Sequence, residues 1–577
     1  MNVYKNLSAA FAVGLSFVAY AHSPNDHSLD IYPGLQDYDQ IFSLQGFEPD
    51  TVLGEIKNKN YEEELLAPWN ETWLNQVLTN IPAPKDSSKI QLLIKDVFTT
   101  YQKELAGSTN DVSSSQAFIA NRPQNLFHAL DNDEPNLIIH LLDNILTIAR
   151  LDRYFLSGTK ITREKQLQFA RKILSLDTFS TFSHDARAIT VTDAHASFLP
   201  SKEAITNDLA GTANTGSDQK TSSSFIPANT PLYVLGQLND DEKMTPEDSS
   251  WLIVWRPEFG IKFVRSEHVA LLSAEDIEIY KTAAKDSVEL VASTRLSATY
   301  FTDRRRFLRP GTPILRNNDQ FLTAISLYDN QLPTTPHGLK LYHAYLTNTH
   351  LAVKDSEQEL ADHIRPVSHP FTVAEYQRQL HLNTFDNPWY VRPNENKPFA
   401  WGEAPVGPDN YNGQDVSNFI RKVLLQFGIN LPRYSGDQII EGLTTNPVYG
   451  TLDGFTKFVT GSTLIEDKLN DFHQALVDHC NPGYFTSFGA GSHAACLGSI
   501  TWEQLNTLDS KAAQDAIEHG NMTTDDRIPL LALSPVGLKA SSGWYITGKT
   551  AVYPVFKSEP HNAWVSRANL FIYSYFK

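Results

Sequence analysis

The side chains with the strongest claim to chemistry are Cys480, Cys496 and three histidines or hydroxyls placed near turns. His493 stands three positions before Cys496, His561 opens the turn His561-Asn562-Ala563-Trp564, and Ser417 closes Asp415-Val416-Ser417. A thiol beside a His that takes its proton, with a third polar group to orient the His, is the set that acyl transfer needs. His337, His343 and His350 lie in one segment and His363 and His369 in another, but neither group has acidic partners at a spacing such as His-Glu-x-x-His. No metal is expected. No Walker-type or Rossmann glycine pattern is present either, so no cofactor is expected. Both cysteines follow an export signal, and in an oxidising compartment a disulfide between them is the default. Closing a loop of roughly 15 residues stabilises by about 3 kcal/mol in the chain-entropy model. The alternative is a reactive thiol, Cys496 beside His493.

The stretch that must position any such chemistry runs from Pro398 to Gln438: PFAWGEAPVGPDNYNGQDVSNFIRKVLLQFGINLPRYSGDQ. A glycine-punctuated loop at Trp401-Gly402 leads to an acidic cap at Asp415. An amphipathic helix follows, with Phe419, Ile420, Val423, Leu424 and Phe427 on one face. Gly428 comes after the last buried position, where a left-handed cap is cheapest, and Pro432 forbids continuation.

At 577 residues the chain is too long for one core, and 41% hydrophobic with 11% aromatic residues is enough to fill several. The net charge of −18 gives no electrostatic reason to bind nucleic acid, and it repels anionic wall polymers at long range. Lys5, the apolar run Leu7 to Ala19 and Ala19-Tyr20-Ala21 form a secretory signal with cleavage expected after Ala21. No later stretch is long and apolar enough to span a bilayer, so the mature chain is expected to be soluble and exported, periplasmic or secreted.

Residues 22–180 read as a helical domain. Its helices are expected after Asp86-Ser87 (Ile90 to Leu105), after Pro135 (Leu137 to Ile148) and from Arg163 to Leu176. Pro68-Trp69 and Trp73 read as a packing anchor, with a sugar-stacking platform as the alternative. After about Asp185 the pattern turns to short alternating runs: Ile189 to Val191, Leu232 to Leu235, and a hairpin of Trp251 to Trp255 with Ile261 to Val264. Ser201 to Ser224 reads as an exposed loop, and a second β segment runs from Glu289 to Leu327 around Gly311 to Leu315. Two small β-barrels, 185–283 and 284–355, are the expectation. Arg304-Arg305-Arg306 reads as a solvated barrel face. The last domain, 368–577, has the amphipathic helix followed by strand-like runs at Leu530 to Leu533, Trp544 to Ile546, Val552 to Phe556 and Leu570 to Phe576, an α+β arrangement. Between them a polar segment at about 444–526 reads as an insertion.

Asp415-Val416-Ser417, then Gly428-Ile429-Asn430-Leu431-Pro432-Arg433-Tyr434-Ser435 and Gln438, resembles the core motif of the NlpC family of bacterial cell-wall peptidases. The family's motif runs aromatic-x-Trp-Gly-Gly, Asp-Cys-Ser, then Gly-Ile-x-Leu-Pro-Arg-x-Ser-x-x-Gln. The resemblance implies a papain-like α+β domain, preceded in multidomain members by a helical domain and two bacterial SH3-like barrels. It also implies cysteine-type peptidoglycan endopeptidase chemistry, with the thiol activated at a helix N-terminus.

Carried over position by position, the family's cysteine falls on Val416. Its general-base His falls on Leu538, in Gly537-Leu538-Lys539, and its third polar residue on His561. Phe399 stands where the family has Tyr, and Gly402-Glu403 replaces paired glycines. Valine has no nucleophilic atom. The implied function is therefore an exported pseudoenzyme that binds peptidoglycan, its stem peptides or a partner protein. It would do so through the SH3-like domains and a cleft lined by Trp401, Asp415, Ser417, His561 and Trp564. The competing function is a working endopeptidase with a substitute nucleophile, either Cys496 with His493 or Ser417 with His561.

Overall fold

The structure is a computed structural model. It describes residues 35, 37–54, 60–70, 72, 187–197, 222–237, 251–286, 288–291, 296–300, 304–308, 311–317, 320–326, 342–353, 364–367, 371–385, 405–406, 411–412, 416–433, 435–459, 469–488, 492–518, 520–533, 539–540, 543–544, 550–557 and 570–576. The segment expected as an export signal and the helices expected over 90–105, 137–148 and 163–176 lie outside the described residues, as does Trp73. Among the described residues no helix is long and apolar enough to cross a membrane.

The N-terminal part is a strap that reaches both of the large sheets among the described residues. Leu35 makes an antiparallel bridge to Val552. Helix α1 (Tyr38–Leu44) starts on Asp37, whose carboxylate accepts from the Gln40 N–H and satisfies one of the orphan donors of the first turn. Its Ile41 and Phe42 are buried with Tyr376 and Phe419 in the core of the C-terminal domain. Strand β1 (Val52–Gly54) pairs with Phe371 and Thr372. Helix α2 (Tyr61–Leu66) and a 3-10 turn, Ala67–Trp69, then pack on the other sheet. Trp69 is fully buried, its Nε1 donating to the carbonyls of Ala188 (3.1 Å) and Leu232 (3.0 Å). Its ring meets Tyr280 edge-on at 5.2 Å. It is a packing anchor, not a sugar platform.

Strands β2 (Arg187–Thr190), β3 (Ala194–Ser197), β4 (Ser222–Ile226), β5 (Pro231–Gln237), β6 (Trp251–Arg256), β7 (Gly260–Arg265) and β8 (Val269–Leu271) follow, and of these β2, β5, β6 and β7 come where alternation predicts strands. Strand β4 begins inside the segment expected as a loop. Helix α3 (Ala274–Asp286) crosses the expected boundary at 283–284. Then follow β9 (Val288–Val291), β10 (Leu296–Tyr300), β11 (Arg304–Phe307), β12 (Pro313–Asn317), β13 (Gln320–Ser326), β14 (Tyr342–Val353) and β15 (Ile364–Pro366). These strands make one 14-stranded sheet, and among the described residues no sheet closes on itself. The described strands do not confirm two separate barrels, and β14 links the segments expected to form them. It is twelve residues long, pairs antiparallel with β13 and β10, and runs parallel to β8 at Tyr342 and His343, joining the two halves.

The C-terminal domain is α+β, as expected. After β16 (Phe371–Thr372) come α4 (Val373–Phe385), the short pair β17 (Pro405–Val406) and β18 (Tyr411–Asn412), and α5 (Val416–Leu425). Phe419, Ile420, Val423, Leu424 and Phe427 are all fully buried, which is the face the spacing predicts. Gly428 has φ +75°, and a Cβ there would lie 2.0 Å from a Val367 methyl, so only glycine fits the cap. The Ile429 N–H closes the cap on the Leu424 carbonyl at 3.2 Å.

Next come α6 (Ser435–Thr445), β19 (Asn446–Tyr449), α7 (Leu452–Val459), α8 (Leu469–His479), β20 (Phe485–Phe488) and β21 (Ser492–Thr501). Helices α9 (Trp502–Leu508) and α10 (Ser510–Glu518), strand β22 (Arg527–Leu533), the pair β23 (Lys539–Ala540) and β24 (Gly543–Trp544), β25 (Ala551–Pro554) and β26 (Leu570–Ser574) complete the chain. Six of these strands form a sheet in the order β19-β26-β20-β21-β22-β25, antiparallel throughout. Residues 444–526, expected as an insertion, supply three of those six strands. They are built into the sheet, and α5 packs across it.

Candidate functional site at the head of helix α5

Val416 is the first residue of α5, 5% exposed, and Ser417 follows it, 6% exposed. The first turn is gripped by the residues that leave the helix at its other end. The Arg433 guanidinium, fully buried, donates from Nη1 to the Ser417 hydroxyl at 2.7 Å. Gln438 donates from Nε2 to the Ser417 carbonyl at 3.2 Å and to the Pro432 carbonyl at 2.6 Å. Tyr575 holds Gln438 in turn, its hydroxyl donating to the Gln438 carbonyl at 3.2 Å. Thus the Leu-Pro-Arg exit and the Gln three residues into α6 fold back onto the head of α5. Their spacing in the sequence is what a chain needs to turn at Gly428 and return along the helix.

The hairpin turn between β6 and β7 closes the other side. Arg256 donates from Nε to Glu258 Oε1 at 2.5 Å, and Arg421, one helical turn after Ser417, reaches the same oxygen at 3.5 Å. Arg421 also donates to Ser224 Oγ (3.1 Å) and Asn430 Oδ1 (3.3 Å). The Arg433 N–H donates to the Glu258 carbonyl at 2.8 Å. Lys262 is 3% exposed beside this group; burial, and then the Arg433 charge, pull its ammonium down to about 7. A low-dielectric pocket with several cations makes each of these bonds strong and each missing partner costly.

Of the residues expected to line a cleft, the structure places Ser417 here. Trp401, Asp415, His561 and Trp564 lie outside the described residues, as do Leu538 and Phe399. Cys480 and Cys496 form a disulfide, with Cα atoms 5.3 Å apart and both residues buried. The disulfide reading is the one the structure contains, and the relocated nucleophile Cys496 with His493 is corrected: neither sulfur is a free thiol. His493 sits in β21 opposite Ser487. Among the described residues no group of His, Cys, Asp and Glu is arranged to hold a metal.

Arg256, Glu258, Lys262 and Arg421 are not marked as site residues by any motif in the sequence. The signal was faint but present. Arg421 is a cation set one helical turn after Ser417, and Lys262 interrupts the apolar run Ile261 to Val264.

No family model matches this chain, and no curated protein matches it. Among solved structures, an NlpC/P60 endopeptidase from Photobacterium damselae subsp. piscicida is similar in shape at 13% identity and a TM-score of 0.48, covering 92% of this chain and 99% of its own. An NlpC/P60 family protein from Bacillus cereus ATCC 10987 is similar at 12% identity and a TM-score of 0.32, over 68% of this chain and all of its own. At those identities and scores the likeness transfers no residue's role to this chain.

Proposed function

We propose that this chain is an exported, cell-wall-associated relative of the NlpC-type peptidases that has lost their catalysis and binds peptidoglycan stem peptides. The binding surface is the head of α5 together with the strands that the resemblance assigns to SH3-like domains. The observation that carries the reading is Val416: a buried isopropyl group at the first position of α5, where the motif puts the thiol. Ser417 is a poor replacement, because its oxygen already accepts from the buried Arg433 guanidinium. The remaining motif residues, Arg433 and Gln438, hold the first turn of the helix in place. A scaffold that keeps its shape after losing a nucleophile keeps ground-state contacts, since binding and bond-breaking use partly different interactions. The charge of −18 makes that contact short-range and neutral in character.

The test is restoration. The double variant Val416→Cys, Leu538→His should release soluble muropeptides from purified sacculi while the parent releases none. A folded double variant that stays inert would remove the positional assignment on which the reading stands.

A further inference from the structure

The large sheet contains two Glu–Arg contacts whose carboxylates are buried, one facing an exposed arginine (Arg316) and one facing buried arginines (Arg256 and Arg421), and they are built differently. Glu289 in β9 gives both carboxylate oxygens to Arg316, whose Nε and Nη2 donate at 2.9 and 3.1 Å. That bidentate fork is how a carboxylate is satisfied for stability. Glu258, in the hairpin turn, is arranged otherwise. Its Oε1 is shared between Arg256 of its own sheet and Arg421 of α5, while its Oε2 is buried with no hydrogen-bond partner among the described residues. Its backbone carbonyl takes the Arg433 N–H. What sets Glu258 apart is where its side-chain and backbone contacts lead. One ends at Arg421, the other passes through Arg433 to the Ser417 hydroxyl, so both grip α5 within its first two turns.

We infer that Glu258 is a positioning residue, through which the hairpin turn of the large sheet sets the first turn of α5 and the side chain at position 416. The hairpin is a short, twisted β-ribbon whose register is fixed from Trp251↔Arg265 to Arg256↔Gly260, with Gly260 at φ +71° completing the turn. It delivers Glu258 to one place. The sheet thereby forms a wall of the site, and any change in how the two domains meet reaches position 416. The proposal takes from the preceding reading only the identity of what is positioned, so its test uses no cell wall.

In the Val416→Cys protein the introduced residue is the one free thiol, since both native cysteines are in the disulfide. Its reaction with a small alkylating reagent, followed across pH, gives two quantities: a midpoint that reports the thiol's electrostatics and a high-pH plateau that reports access to the side chain. Glu258→Gln in this background should raise the plateau rate about three-fold or more, because the first turn of α5 loses its hold. Glu289→Gln, equally buried in the same sheet, should leave the plateau unchanged. A shift of midpoint alone with Glu258→Gln would show that the carboxylate acts only as a charge and overturn positioning. An equal rise with Glu289→Gln would overturn it too, by showing a general loosening. Should Glu258→Gln fail to fold, Glu258→Asp, which keeps the charge and shortens the reach, is read against the same two outcomes. Failure here would leave the binding reading standing, and loss of that reading would leave this result standing.

Discussion

On its sheet side α5 offers Phe419, Ile420, Val423 and Leu424 to an apolar core; on its hairpin side it offers Ser417 and Arg421 to a cluster of buried charge. The apolar flank is non-directional: its free energy grows with area removed from water and tolerates small shifts. The polar flank is directional, because each hydrogen bond weakens as its donor turns away from the acceptor or moves out of a narrow range of distance. The difference teaches that the core makes α5 stable, while the hairpin decides where its first turn stands.

The largest effect should come from breaking the apolar flank. Phe427→Ala removes a fully buried ring that meets Phe371 edge-on at 4.0 Å and should cost about 3–5 kcal/mol in urea unfolding. Next is the disulfide behind the same sheet. Cys480→Ala with Cys496→Ala, residues 16 apart, should lower stability by about 3 kcal/mol without altering contacts of Arg433. Cutting the polar flank with Arg433→Met should cost less, about 1.5–3 kcal/mol, yet perturb the first turn of α5 more than either.

The two domains should also differ in their response to pH. Lys262 releases its proton in the folded state near 7 but only near 10.5 when exposed, so above neutrality the unfolded chain holds the extra proton. Stability should therefore rise by up to about 1.4 kcal/mol per pH unit between pH 7 and 9, and Lys262→Met should flatten that slope. The window ends where buried tyrosines such as Tyr61 and Tyr573, pushed up by burial, begin to oppose it. In the six-stranded sheet's domain, burial and then Lys557 pull His473 down to about 4, with Asp526 opposing. There the unfolded chain gains a proton first as pH falls below about 6.5. Stability is lost on the way from 6.5 to 4 and flat below, and His473→Gln should remove that loss.

Much of this architecture is legible in the residues themselves. The five apolar positions of α5, the glycine at 428 and the proline at 432 define the helix because each acts locally, through spacing, backbone freedom and a missing N–H. The hairpin of β6 and β7 and the Cys480–Cys496 pairing are local in the same way. What the sequence hides is what arises between distant segments. Glu258 and Arg421 stand 163 residues apart, and no periodicity marks them as partners. Strands β20 and β21 are Phe-Thr-Ser-Phe and a run of Ser, His, Ala and Cys, too small and polar to read as the middle of a sheet. The strap at Leu35 to Gly54 completes the core of a domain more than 300 residues away, a closure that only the tertiary fold creates.

The proposal that the head of α5 still holds a wall peptide and no longer cuts one has a direct test. The direct measurement is the native chain mixed with purified sacculi, with the pellet assayed for protein and the supernatant for soluble muropeptides. A binding pseudoenzyme should give protein in the pellet and no fragments above the buffer control. Fragments that appear with the native chain and vanish with Ser417→Ala would contradict it.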